Sequence, residues 1–438
     1  MTPPLAHADV AKAALPAVVR RDLPWRDPLA VAAGLADRDG ALALLSDGAP
    51  HGRWSWVAAD PDRVFIGARD PETAFADLEA FGPGTVGLAS YDLGARPATG
   101  RRPDVWPDLM LARYPAMLGF DLHQRRAVAV GRGVDADAAR TAADRAAAWT
   151  EATVPTPGPP ALSFDEEASG ADYRAAVAEV VGRIAAGELF QANIARAWTG
   201  RLAEGADPFD AFVRLQVGRA SAYGAFWRLG DRALVSNSPE LFLAFDGRRI
   251  EARPIKGTRA RGADAAADAA LAAELAASAK DRAENLMIVD LMRNDLARAA
   301  RPGSVAAERL FEIETLPTVH HLVSTVTAEA APGVGSAEIL AAAFPPGSIT
   351  GAPKHQAMKV IAAHEPPRGP WCGSLFLAGD DGALTASVLI RTAAFQRRAD
   401  GWRFRTLAGA GIVADSDPAA ELAETEAKIA ALRQALTG

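Results

Sequence analysis

Only one cysteine, Cys372, occurs in 438 residues. An intrachain disulfide is impossible, Cys-based zinc spacing is excluded, and a reducing cytoplasmic setting is expected. Basic residues are not in excess: Lys plus Arg number 47 against 54 Asp plus Glu, a formal charge of −7. Neither nucleic acid nor an anionic membrane surface is an expected partner. No run of about 18 apolar residues occurs, so no membrane span is expected. The start, MTPPLAHADVAKAALPAVVRRDLPW, lacks a charged segment followed by a continuous apolar one, so no secretory leader is expected. HExxH, the P-loop and the dinucleotide glycine fingerprint are all missing.

What is present describes a folded, soluble chain. Hydrophobic residues are 49% and charged residues 23%, close to a globular average. The clearest punctuation is TVPTPGPP, 153–160, whose four prolines forbid helix and resist a central strand. It divides an N-terminal region, 1–152, from a second region, 161–438. Helical spacing of Tyr173, Val177, Val180, Val181 and Ile184 predicts a helix over 170–187. Further helices are expected at 135–150, 264–278, 280–298 and 418–436, the last opened by Pro418 with Asp417 or Ser416 as cap. Strands are expected at 192–197, 223–228, 233–235, 241–245, 374–377, 386–390 and 402–407. They cluster without strict βαβ alternation, so α+β is preferred to a doubly wound sheet.

Several segments can carry chemistry. Glu421, Glu424 and Lys428 share one face of the last helix at i, i+3 and i+7. They form either a solvated ion-paired face or a carboxylate platform for a hard divalent cation. Glu284 borders the buried stripe of its helix. RPIKGTRARG, 253–262, is either a basic surface loop or the setting of a lysine, Lys256, with a lowered pKa and nucleophilic character. Glu240, in SNSPE, is a general acid if burial raises its pKa, and otherwise a loop carboxylate. PPGSITGAPK, 345–354, offers free backbone N–H groups ahead of a helix, which suit anions. AGAGIV, 408–413, follows a strand and either lets the backbone approach a ligand closely or forms an ordinary tight turn. Adjacent His320 and His321 would point to opposite faces of a strand.

In this order, ELFQANIAR, SNSPELF, RPIKGTRARG, KDRAENLMIVDLMRND, HHLVST, PPGSITGAPK, SVLIRTAAF, AGAGIVADS and ELAETEAKIAAL resemble the chorismate-utilising enzyme family. The resemblance covers 170–435 strongly and the N-terminal part more loosely. It implies an α+β fold of two layered, mainly antiparallel sheets flanked by helices, with the site between them. It implies Mg²⁺, with Glu284 and Glu424 as ligands and Glu421 acting nearby through water. Gly257, Thr258, Arg391, Gly409, Gly411 and Lys428 match positions that hold the substrate, Thr350 and Gly351 lie next to it, and His321 matches a pocket histidine. Glu240 and Lys256 match the acid and nucleophile of the branch that makes 4-amino-4-deoxychorismate for 4-aminobenzoate and folate. Anthranilate synthase component I, the alternative, usually has alanine where Lys256 stands. In the water-adding relatives a lysine occupies the position of Gln191, which cannot act as that base. An amine is thus the expected nucleophile.

The resemblance implies further that chorismate and ammonia are the substrates. Cys372 lies in PWCGSLF, not in a glutaminase pattern, so a separate glutamine amidotransferase subunit is expected to supply ammonia. No fused lyase is expected after the final motif. A non-catalytic ligand-binding module is disfavoured, because the acid, the amine and both metal carboxylates are all present.

Overall fold

The computed structural model describes residues 17–50, 52–316 and 319–438. Residues 1–16 of the stretch inspected for a leader lie outside them. Two antiparallel sheets, of twelve and ten strands, are accompanied among the described residues by eleven α-helices. This is the expected α+β class. Segments from both sides of 153–160 enter both sheets. Leu42–Leu45 pairs with Tyr223–Leu229 in the larger sheet, and Thr85–Ala89 pairs with Ser374–Ala378 in the smaller. The proline-rich stretch itself forms no regular element.

Three helices around the site begin where side chains satisfy free N–H groups. Ser169, Ser278 and Asp417 cap Gly170–Ala185, Ala279–Ala297 and Pro418–Thr437 in turn. The two sheets meet through an apolar cluster. Ala197 and Leu407 of the larger sheet share it with Phe242, Leu243 and Phe376 of the smaller.

One reading is corrected. AGAGIV is not a turn: strand Gly401–Ile412 runs through it, antiparallel to Gln191–Arg201, with Gly409 opposite Ala195 and Gly411 opposite Asn193. The glycines are there for space. A Cβ on Gly409 would lie 2.6 Å from Asn193 Oδ1 and 2.8 Å from the Ile194 carbonyl oxygen. That is closer than carbon and oxygen can pack.

Candidate active site

Lys256 lies in strand Ile255–Ala260, whose pairing with Val319–Glu329 slips between Ile255 and Thr258. Gly257 takes the left-handed conformation there, with φ of 85°. A bulge of this kind re-aims a side chain out of the regular pleat. The Lys256 amine donates to the Ser348 carbonyl at 2.8 Å. A Cβ placed on Gly411 would be 3.6 Å from Lys256 Nζ and 2.9 Å from Gln191 Nε2, so the three are neighbours. Glu240 is 4% exposed. Its carboxyl is held by the Ser348 side chain and the Ile255 N–H. Burial pushes the Lys256 pKa down, against the pull of Glu284 and Glu240. Burial pushes the Glu240 pKa up, against its hydrogen bond to Ser348 and the charge of Lys256. Both groups move toward their neutral forms, as a nucleophilic amine and a proton donor require.

A second set of donors surrounds this pair. Thr258 Oγ1 and His321 Nδ1 are 2.9 Å apart across the register Thr258↔His321. His321 is buried, and its Nε2 has no hydrogen-bond partner among the described residues. Burial and the nearby Arg391 lower its pKa to about 4, so the ring is neutral at pH 7. Arg391 has a φ of 52°, an unfavourable conformation for a residue with a Cβ. Among the described residues it makes no ion pair, and burial lowers its pKa. A partly buried guanidinium without an ion-pair partner among the described residues suits an incoming carboxylate. Lys428 Nζ donates to the Gly409 carbonyl at 2.9 Å. Thr350 Oγ1 donates to the Pro346 carbonyl, and the Thr350 carbonyl accepts from the Asn193 N–H. Gly351, with φ of 136°, pairs with Ala192; a Cβ there would strike the Gln191 carbonyl oxygen at 2.2 Å.

The acidic group sits on two helices. Glu284 comes from Ala279–Ala297; Glu421 and Glu424 come from Pro418–Thr437. Glu424 is paired with Lys428 at 2.6 Å, and Glu284 lies 4.0 Å from Lys280. Glu421 accepts from Ser416 Oγ at 2.6 Å. Burial raises the pKa of Glu284 and of Glu421, and the charge of Glu424 adds to both. The Glu424 side chain is 49% exposed, and its ion pair with Lys428 holds its pKa below the ordinary value. No three His, Cys, Asp or Glu side chains converge tightly enough to cage a metal among the described residues. The donor chemistry nevertheless fits Mg²⁺, which takes oxygen ligands and commonly uses only one or two protein carboxylates beside substrate and water. Glu284 and Glu424 feel each other's charge from different helices, and lysines now offset it.

All the site residues expected from sequence lie in these segments. Others were not anticipated. Ser348, inside PPGSITGAPK, meets Lys256 through its carbonyl and Glu240 through its side chain, and neither contact is marked in the sequence. Lys280 and Ser416 touch the carboxylates but precede them by four and five positions, ordinary helix and cap spacings. Behind the site, Arg368 and Glu365 form an ion pair with Nε to Oε2 at 2.8 Å, both side chains almost wholly buried. Arg368 donates to the carbonyls of Asn193 at 2.6 Å and Ile349 at 3.3 Å. Glu365 accepts from the Ala195 N–H at 2.7 Å. The pair thus ties the strand of Gln191 to the turn of Ser348 and Thr350.

Residues 51–434 match the chorismate binding enzyme family. The chain is 41% identical over 356 residues to aminodeoxychorismate synthase component 1 of Salmonella typhimurium, covering 80% of this chain and 76% of that one. It is 37% identical over 447 residues to the component 1 of Klebsiella aerogenes, covering 93% and 96%. Among solved structures, anthranilate synthase component I from Streptococcus pneumoniae superposes with a TM-score of 0.73 at 25% identity, covering 87% of this chain and 92% of that one.

Proposed function

The chain belongs to the chorismate-binding enzymes, and from that premise we propose how it aminates chorismate to 4-amino-4-deoxychorismate. The neutral Lys256 amine attacks ring carbon C2. The ring double bonds shift, and the C4–oxygen bond breaks as Glu240 delivers its proton, so that the 4-hydroxyl leaves as water. Ammonia then attacks C4, the double bonds shift back, and the C2–nitrogen bond to Lys256 breaks. A proton from the incoming nitrogen returns to Glu240. The enolpyruvyl group is retained throughout.

The observation that carries this reading is that the Lys256 amine and the buried Glu240 carboxyl meet at Ser348, each within reach of the other's charge. Arg391 and Lys428 supply cationic contacts for the substrate carboxylates, and Thr258 and His321 supply neutral donors. Glycines 257, 351, 409 and 411 let neighbouring strands and side chains pack closely around the site. All these residues fall within 161–438, the region we assign to chorismate. Mg²⁺ would be held by Glu284 and Glu424, with Glu421 through water, and would supply positive charge for a dianionic substrate. Two unit charges at 4 Å interact by about 4 kcal/mol at an effective dielectric of 20, enough to decide binding among so many carboxylates.

The ammonia source is a separate glutamine amidotransferase subunit. The relatives' name, component 1, implies a second component. Cys372, the single cysteine, is wholly buried, and burial pushes its thiol pKa far up. Such a thiol is inert as a nucleophile. Among the described residues no helix is long and apolar enough to cross a membrane, and a cytoplasmic location suits the pathway.

The test is the mass of the product formed from chorismate, ammonium and Mg²⁺. The expected product keeps the enolpyruvyl group. Anthranilate with free pyruvate would overturn the reading.

A further inference from the structure

A cavity of about 240 Å³ opens beside the proposed site. Its floor is the sheet face formed by Thr392–Arg398 and Gly401–Ile412, and its walls are the loops of Trp106 and Trp371. Four arginines line it: Arg368, Arg398, Arg403 and Arg405. No Asp or Glu does. Their charges are not equally free. Arg368 is spent on Glu365, and Arg405 is held by both oxygens of Glu167. Arg403 uses only Nη2, toward Asp400. Arg398 has Gln396 Oε1 as its hydrogen-bond partner and, among the described residues, no ion pair. Two exposed guanidiniums with donors to spare therefore stand by an interior of Trp106, Trp371, Phe404 and Leu407. Cavities for drug-sized ligands span roughly 300–1,000 Å³, so this one suits a molecule with a single ring.

We propose that this cavity binds an aromatic monocarboxylate, its ring among the indoles and its carboxylate at Arg398 and Arg403. Apolar walls with a few placed charges are how small-molecule sites gain affinity and orientation together. The cavity is not the chorismate site: Lys256, Glu240 and Arg391 do not line it. It does share a wall with that site. Trp371 lines the cavity, and its Cη2 lies 3.0 Å from where a Gly409 Cβ would be. An occupant pressing on Trp371 would therefore be felt where chorismate is held. The pathway's end product, 4-aminobenzoate, belongs to this chemical class. The choice of that probe, and only that choice, rests on the amination reading.

The experiment titrates 4-aminobenzoate into the full chain by calorimetry and indole fluorescence, with and without saturating chorismate. Binding is expected in both conditions. Arg398→Glu and, separately, Ala394→Phe should each weaken it at least tenfold while leaving chorismate turnover with ammonium within twofold. Three results would overturn the proposal: no binding up to millimolar concentration, loss of binding in competition with chorismate, or unchanged affinity in both variants. The product mass is measured independently. An anthranilate product would refute the amination reading and leave the binding result standing.

Discussion

Burial acts on Lys256 and Glu240 in opposite directions, lowering one pKa and raising the other. The active pair carries one proton, on the carboxyl. It forms when the doubly protonated pair loses a proton and disappears when the last one leaves. Turnover is therefore bell-shaped in the macroscopic pKa values of the pair. We predict such a profile for kcat measured at constant neutral ammonia; activity climbing steadily with pH, with no alkaline limb, would refute the acid role of Glu240. His321 gives a second pH effect, on stability. Its pKa falls from 6.5 to about 4 on folding. A depressed folded pKa contributes stability above the unfolded value, and that stability is lost as pH falls toward the folded one. By pH 5 the loss is about 2 kcal/mol. Urea unfolding at pH 7 and pH 5 should show a smaller drop for His321→Gln than for the parent chain. Equal drops would mean that His321 titrates normally.

Elements set the precision with which these groups meet. The Glu365–Arg368 pair joins a strand to the turn whose Ser348 carbonyl receives the Lys256 amine. Removing one member strands a buried charge, at a cost of about 3–5 kcal/mol. Arg368→Met should therefore lower Tm strongly, while Glu365→Leu combined with Arg368→Met should recover most of it. The double variant should still turn over at least tenfold more slowly, because nothing holds the turn to the strand. Full activity in the double variant would reduce the pair to a purely structural role. On the neighbouring strand, Gly409→Ala introduces a methyl 2.6 Å from Asn193 Oδ1 and 3.0 Å from Trp371. Overpacking of this kind costs about 1–3 kcal/mol. We expect a raised KM for chorismate, measurable by steady-state kinetics; wild-type KM would argue that the strand yields freely.

At the scale of the whole molecule, the two sides of the proline-rich stretch are not independent bodies. Each sheet contains strands from both. Residues 153–156 are largely exposed and carry no regular structure, which makes them a natural site for nicking. A protease site inserted there should cut the chain without separating it, because the inter-strand hydrogen bonds and apolar clusters remain. Gel filtration of the nicked protein should give one peak at the intact size. Two separated fragments would show that the shared sheets contribute little.

Sequence alone determined the α+β class and the start of the last helix at Pro418 behind Asp417, and it supplied the ordered motifs from which the reacting groups are proposed. These depend on local periodicity, capping chemistry and ordered motifs, all written in neighbouring residues. It left AGAGIV ambiguous, because glycine marks both turns and crowded strands, and only the partner strand reveals the crowding. Tertiary structure alone decided which Lys and Glu meet at Ser348, which arginines keep free donors, and that a bulge turns Lys256 toward Ser348. Burial and the contacts at Ser348 depend on residues from separate elements, 92 positions apart for Lys256 and Ser348, so no local pattern can encode them.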